Sequence, residues 1–155
     1  MTEAVAAGAV AVAAVNAVPG LLGALLWYRA SPLQGRAGRA FWLTLRAGQG
    51  ASVAFALAVG SLAAAGRYSS DKLFYLYALL PLAVAFVAEQ LRVTSAQTIL
   101  DQRGLEGAAA VGALPAGDQQ AVVAEIMRRE AGVMALAALV VVFLAVRAAG
   151  TAGGF

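Results

Sequence analysis

Four stretches of this chain are apolar over nearly the length a helix needs to cross a lipid bilayer. At a rise of about 1.5 Å per residue, a helix must run for about 20 residues to traverse roughly 30 Å of hydrocarbon. The first stretch runs from Ala4 to Trp27, with Asn16 as its one strongly polar interior residue. The second runs from Phe41 to Gly66 and carries Arg46 and Gln49 near its start. The third runs from Leu73 to Leu91, with Glu89 and Gln90 near its end. The fourth, from Ala131 to Val146, is short. Arg128 and Arg129 before it and Arg147 after it can extend their charged heads to the interface and lengthen it to about 131–147.

Composition decides how these runs are to be solvated. The chain is 62% hydrophobic and 12% charged, against about 45–50% and about 25% in an ordinary soluble domain. A water-soluble fold of 155 residues would leave large apolar patches uncovered. The expected fold is therefore an all-α integral membrane four-helix bundle, forming a single domain over residues 1–155. The start of the chain has Glu3 and no basic residue ahead of its apolar run. It lacks the basic lead of a signal peptide, so it is expected to stay as the first span.

Basic residues orient such a bundle, because connections rich in Lys and Arg stay in the cytoplasm. The segment Tyr28–Ala40 holds Arg29, Arg36 and Arg39, and the segment Arg92–Glu130 holds Arg92, Arg103, Arg128 and Arg129. The opposite side holds Arg67, Lys72 and Arg147. Seven against three puts both larger connections inside and both chain ends outside, in the plasma membrane. Aromatic residues fall at the same boundaries: Trp27, Tyr28, Phe41 and Trp42 on the inner side, and Tyr68, Phe74, Tyr75 and Tyr77 on the outer. A net charge of +3 in a soluble chain would suggest nucleic acid. Here the charges belong to lipid headgroups, and no nucleic-acid partner is expected.

The long connection, residues 92–130, reads as a cytoplasmic helical hairpin. Val93, Ala96, Ile99 and Leu100 continue the third helix, and Gly104 is placed to cap it. Leu105 to Gly117 reads as a turn or loose link. Asp118 reads as the N-cap of a second helix with Val122, Val123, Ile126 and Met127 on one stripe, running into the fourth span.

Two features within the spans invite attention. Gly48, Ser52, Ala56, Gly60 and Ala64 recur every four residues along the second span, a small-residue ridge of the kind on which membrane helices pack. It predicts either packing within the bundle or a dimer face, with Gly20 and Gly23 of the first span as a partner surface. The second feature is a polar group. Arg46 lies five residues, about 7 Å, inside its span, and Glu89 lies at similar depth on the antiparallel third span. An unpaired charge there costs about 2–3 kcal/mol on insertion scales, so the two are expected to pair. Gln49, Gln90 and Asn16 are candidates to join them. Three readings of the group stay open: a clamp fixing helix register, the lining of a path for an ion, proton or small solute, or an anion pocket in a membrane enzyme. Glu89 has a competing partner in Arg92, one turn along its own helix. Pro19 and Pro81 fall inside spans, where bundles tolerate the lost hydrogen bond.

The sequence contains neither His nor Cys, which excludes thiol nucleophiles, His-ligated haem, His bases and nearly every zinc site. Ser31, Ser52, Ser61, Ser69, Ser70 and Ser95 have no His to activate them. No metal site, catalytic residue or cofactor is expected.

The stretches FWLTLRAGQG (Phe41–Gly50), LFYLYALLPLAVAFVAEQLR (Leu73–Arg92), ILDQRGLE (Ile99–Glu106) and EIMRREAGVMALAALVVV (Glu125–Val142) resemble a group of small four-helix integral membrane proteins of high-GC actinobacteria. That resemblance implies a lineage and a membrane fold, and no particular chemistry. In size, span number and a basic first connection the chain is also similar to the eicosanoid- and glutathione-metabolising membrane enzymes (the MAPEG family). That likeness would imply an enzyme whose second-span arginines hold an anionic conjugate. Arg39 and Arg46 are present, but Gln49 is the nearest amide and no acid follows in that span. The leading expectation is a structural or accessory component that packs with itself or within a larger membrane complex. Permeation through the polar cluster is the first alternative and a MAPEG-like enzyme the second.

Overall fold

The computed structural model describes residues 1–29, 33 and 35–155. Residues 30–32 and 34 of the first connection, Ser31 among them, lie outside the described set. The elements are α1 (Thr2–Tyr28), α2 (Arg36–Ala64), α3 (Lys72–Gln102), the short α4 (Ala108–Gly112) and α5 (Ala116–Thr151). Among the described residues there is no strand. Four of the helices are each long and apolar enough to cross a membrane, as the four apolar runs required.

The helices follow an up-down-up-down course. α1 packs most extensively on α5, α5 next on α3, α1 on α2, and α2 more lightly on α3, which closes a ring in the order α1, α2, α3, α5. The core is layered along the bundle. One end holds Val5, Ala9, Val59, Phe74, Ala78, Ala148 and Ala152. The middle holds Val12, Ala13, Val141 and Ala145. The other end holds Leu26, Phe41, Leu45, Ala88, Ala131, Met134 and Ala138. Half of the residues in these layers are alanines, which let helix backbones come close.

Both chain ends meet at the first of these levels. The Thr2 hydroxyl donates to the Phe155 carbonyl at 3.4 Å, and the Phe155 ring meets the Phe74 ring edge-on at 5.1 Å. The Ser70 amide and the Ser69 hydroxyl both donate to the Gly153 carbonyl, each at 2.9 Å.

Local chemistry explains the helix limits. The Asp71 carboxylate caps α3 by accepting from the Leu73 amide at 2.9 Å. At the far end Gly104 takes φ +66°, a left-handed conformation that costs glycine little. The Gly104 amide then donates to Asp101 O at 3.1 Å and the Leu105 amide to Leu100 O at 2.9 Å, the paired bonds of a Schellman stop. α1 and α3 run unbroken through Pro19 and Pro81.

The second helix of the long connection starts earlier than Asp118 predicts. Its N-cap is Pro115, and Asp118 lies in the first turn without a capping bond. Proline sets the entry dihedral, and the Gln119 side-chain amide satisfies the carbonyls of Gly112 and Leu114 at 3.0 and 2.7 Å. The segment expected to be a loose link contains α4, one short helical stretch. Of the expected stripe, Val122 is buried, Ile126 and Met127 are half-buried, and Val123 is exposed. Arg103 of α3 and Glu125 of α5 pair at 2.7 Å.

Candidate functional site

The polar residues expected along the spans fall into two separate groups. The first is centred on Asn16, buried at the contact of α1 with α2. Its side-chain amide donates to Val12 O at 2.9 Å on its own helix and reaches across to Gly48 O at 3.1 Å and the Ser52 hydroxyl at 3.4 Å. Ser52 itself donates to Gly48 O at 3.0 Å. Gly48 is what admits the Asn16 side chain: a Cβ at that position would stand 2.6 Å from Asn16 Oδ1. The upper half of the small-residue ridge thus accommodates a polar side chain from the neighbouring helix. The ridge then divides. Gly48, Ser52 and Ala56 are buried, whereas Gly60 and Ala64 are exposed. Of Gly20 and Gly23, both expected to face α2, Gly20 meets α5, where a Cβ would strike Leu139, and Gly23 meets both helices, where a Cβ would strike Phe41 of α2 and Ala135 of α5.

The second group joins α2, α3 and α5. Arg46 Nη1 lies 2.7 Å from Glu89 Oε1 and donates to Gln49 Oε1 at 2.7 Å. Gln49 Nε2 donates to Glu89 Oε1 at 3.3 Å. The other carboxylate oxygen, Glu89 Oε2, faces Arg92 Nε at 3.0 Å. That contact is an ion pair without hydrogen-bond alignment, since Arg92 Nε has no hydrogen-bond partner. Arg92 also stands 4.0 Å from Glu130 of α5, and its guanidinium lies over the Trp42 ring at 5.7 Å. The two partners proposed for Glu89 by sequence are therefore both in place at once. The Arg46 side chain is 54% exposed and that of Glu89 27%, so the network opens outward at Arg46. Gln90 is exposed and is not among the side chains hydrogen-bonded in this network.

Trp42, expected only as an inner-belt aromatic, and Glu130, not singled out by sequence, complete this network. The signal was available. Helices α3 and α5 run antiparallel through the long connection, which puts Arg92 and Glu130 at one level, and Trp42 lies one turn from Arg46. Among the described residues no cluster of three or more Asp, Glu, His or Cys side chains is placed to hold a metal ion. The second group has two arginines and two carboxylates, so its charges compensate within the network. Chemically it can hold three helices in register and present a guanidinium at the surface.

Comparison with protein-family models, with curated proteins and with solved structures finds no match to this chain.

Proposed function

We propose that this chain is a four-span plasma-membrane protein, with both ends outside and the α3–α5 hairpin in the cytoplasm. Its role is that of a structural or accessory component that associates laterally, through α2, with a second copy or a larger membrane complex.

One observation carries this reading. Over their most apolar stretches α1 and α5 are 44% buried, but α2 and α3 only 22%. The outward side of α2 includes Gly50 and Gly60, and a Cβ at either would meet nothing within 4 Å. Each glycine costs a helix interior about 1 kcal/mol relative to alanine, and no packing inside the bundle offsets it. Gly50 and Ala54, both exposed, have the four-residue spacing on which membrane helices approach closely. A partner helix seated there would repay both glycines.

Orientation rests on the seven-to-three distribution of basic residues and on the meeting of the chain ends at one level of the bundle. Permeation has less support. Asn16 fills its space against Gly48, and the two polar groups form no single file. Crosslinking in native membranes followed by mass analysis tests association directly. A discrete crosslinked species is expected, and it should weaken in Gly50→Leu and Gly60→Leu variants. Recovery of the isolated monomer alone, under conditions that crosslink a known membrane dimer, would overturn the reading.

A further inference from the structure

Between α1 and α5, at the level of Trp27, the surface opens into a groove of about 480 Å³ lined by Ala24, Trp27, Arg129, Val133, Leu136 and Leu139. Gly132 lets the Trp27 ring lie close against α5 there, since a Cβ on Gly132 would stand 3.0 Å from the ring. A second apolar groove of about 390 Å³ lies on the other side of α5, against α3, and shares Val133 and Leu136 with the first. The two grooves therefore flank one ridge of α5 at one level.

The charges at the mouth are of one sign. Arg129 lines the first groove, and Arg128 lies over the Trp27 ring at 5.7 Å. The nearest acids of α5 are turned elsewhere: Glu125 pairs with Arg103 and Glu130 faces Arg92. Arg129 precedes Leu136 by seven residues, about 10 Å along the helix. A guanidinium pair thus stands about one headgroup-to-acyl distance above the apolar ridge.

We infer that this face of α5 is a binding site for one anionic phospholipid, its phosphate held by Arg128 and Arg129 and its two acyl chains lying in the grooves on either side of Val133 and Leu136. The inference rests on the proposed membrane placement. A basic side chain near the surface favours an anionic headgroup, and Arg is suited to bidentate phosphate contacts. Trp27 walls the groove, which makes it a built-in reporter.

The test uses the full chain in mild detergent with Trp42→Phe, so that Trp27 is the one tryptophan and is excited selectively. Phospholipids brominated on their acyl chains are added as phosphatidylglycerol or as phosphatidylcholine. Half-maximal quenching is expected at a mole fraction of the anionic lipid lower by at least about fivefold, the ratio that one of the two basic contacts supplies alone. Arg128→Gln/Arg129→Gln should erase that preference, with the larger loss falling on quenching by phosphatidylglycerol. Equal quenching by both lipids in the parent protein overturns the site while the membrane placement stands. Quenching by neither lipid overturns both.

Discussion

Asn16 and Gly48 form an interlocking contact between α1 and α2, because a Cβ at residue 48 would stand 2.6 Å from Asn16 Oδ1. The amide of Asn16 needs an acceptor in a layer that otherwise offers alanine and valine, and it finds the Gly48 carbonyl at 3.1 Å. Interhelical polar contacts of this kind contribute about 0.6–1.7 kcal/mol in membrane proteins, so Asn16→Ala should lower stability by about that much. Gly48→Ala forces a methyl to within 2.6 Å of Asn16 Oδ1 and should cost about 1–3 kcal/mol by overpacking. The two effects cannot be independent. With Asn16 cut back to alanine the methyl at residue 48 has room, so the double variant should be more stable than the sum predicts, by about 0.5 kcal/mol or more. Thermal unfolding of the four proteins in one detergent measures this. Strict additivity would mean that the interlock does not exist.

At the scale of the elements, Glu89 is the point at which α2 and α3 are pinned, with Glu130 of α5 joined through Arg92. It accepts from Arg46 and Gln49 with one oxygen and faces Arg92 with the other. Glu89→Gln leaves two guanidiniums facing a neutral amide and should destabilise by about 1–3 kcal/mol. Arg46→Gln in the same chain should restore part of that loss. The hairpin pair Arg103–Glu125, with side chains 42% and 47% exposed, sets the contrast: Glu125→Ala should cost less than about 1 kcal/mol. A single variant at Glu125 as damaging as one at Glu89 would contradict this ranking. The four long helices and the Arg46–Glu89 pair were legible in the sequence, because apolar length and the cost of an unpaired charge are local properties. The place of Asn16 was not. Its distance from Arg46 depends on which face of α1 meets α2, and an alanine-rich helix has almost no amphipathic signal to set that rotation. For the same reason the ridge on α2 read as one surface, although it divides between the bundle interior and the outside below Ala56. The Pro115 start of α5 was hidden by Asp118, whose residue type suits the cap position that Pro115 occupies instead without a capping bond.

The whole molecule has two unlike ends. At one, the chain ends meet and Arg147 lies over the Tyr77 ring at 5.5 Å. At the other, Arg128 and Arg92 lie over Trp27 and Trp42, and α3 and α5 continue past them to Gln102 and back from Ala116. Arg147 follows Arg129 by 18 residues, about 27 Å of helix, close to the roughly 30 Å of hydrocarbon that the stacked arginines and aromatics would border. Inverting the molecule would move the richer set of basic side chains to the outer face, so one orientation should dominate. The absence of cysteine from the sequence makes this directly measurable. Ser70→Cys lies at the end where the chain termini meet, and Ala109→Cys lies in α4 at the hairpin; both positions are exposed. A membrane-impermeant maleimide applied to whole cells should label Ser70→Cys at once and Ala109→Cys only after permeabilisation. The reverse pattern would invert the topology and leave the bundle intact. Labelling of both sites in sealed cells would mean that the charge difference does not select an orientation, and the cytoplasmic placement of the hairpin would go with it.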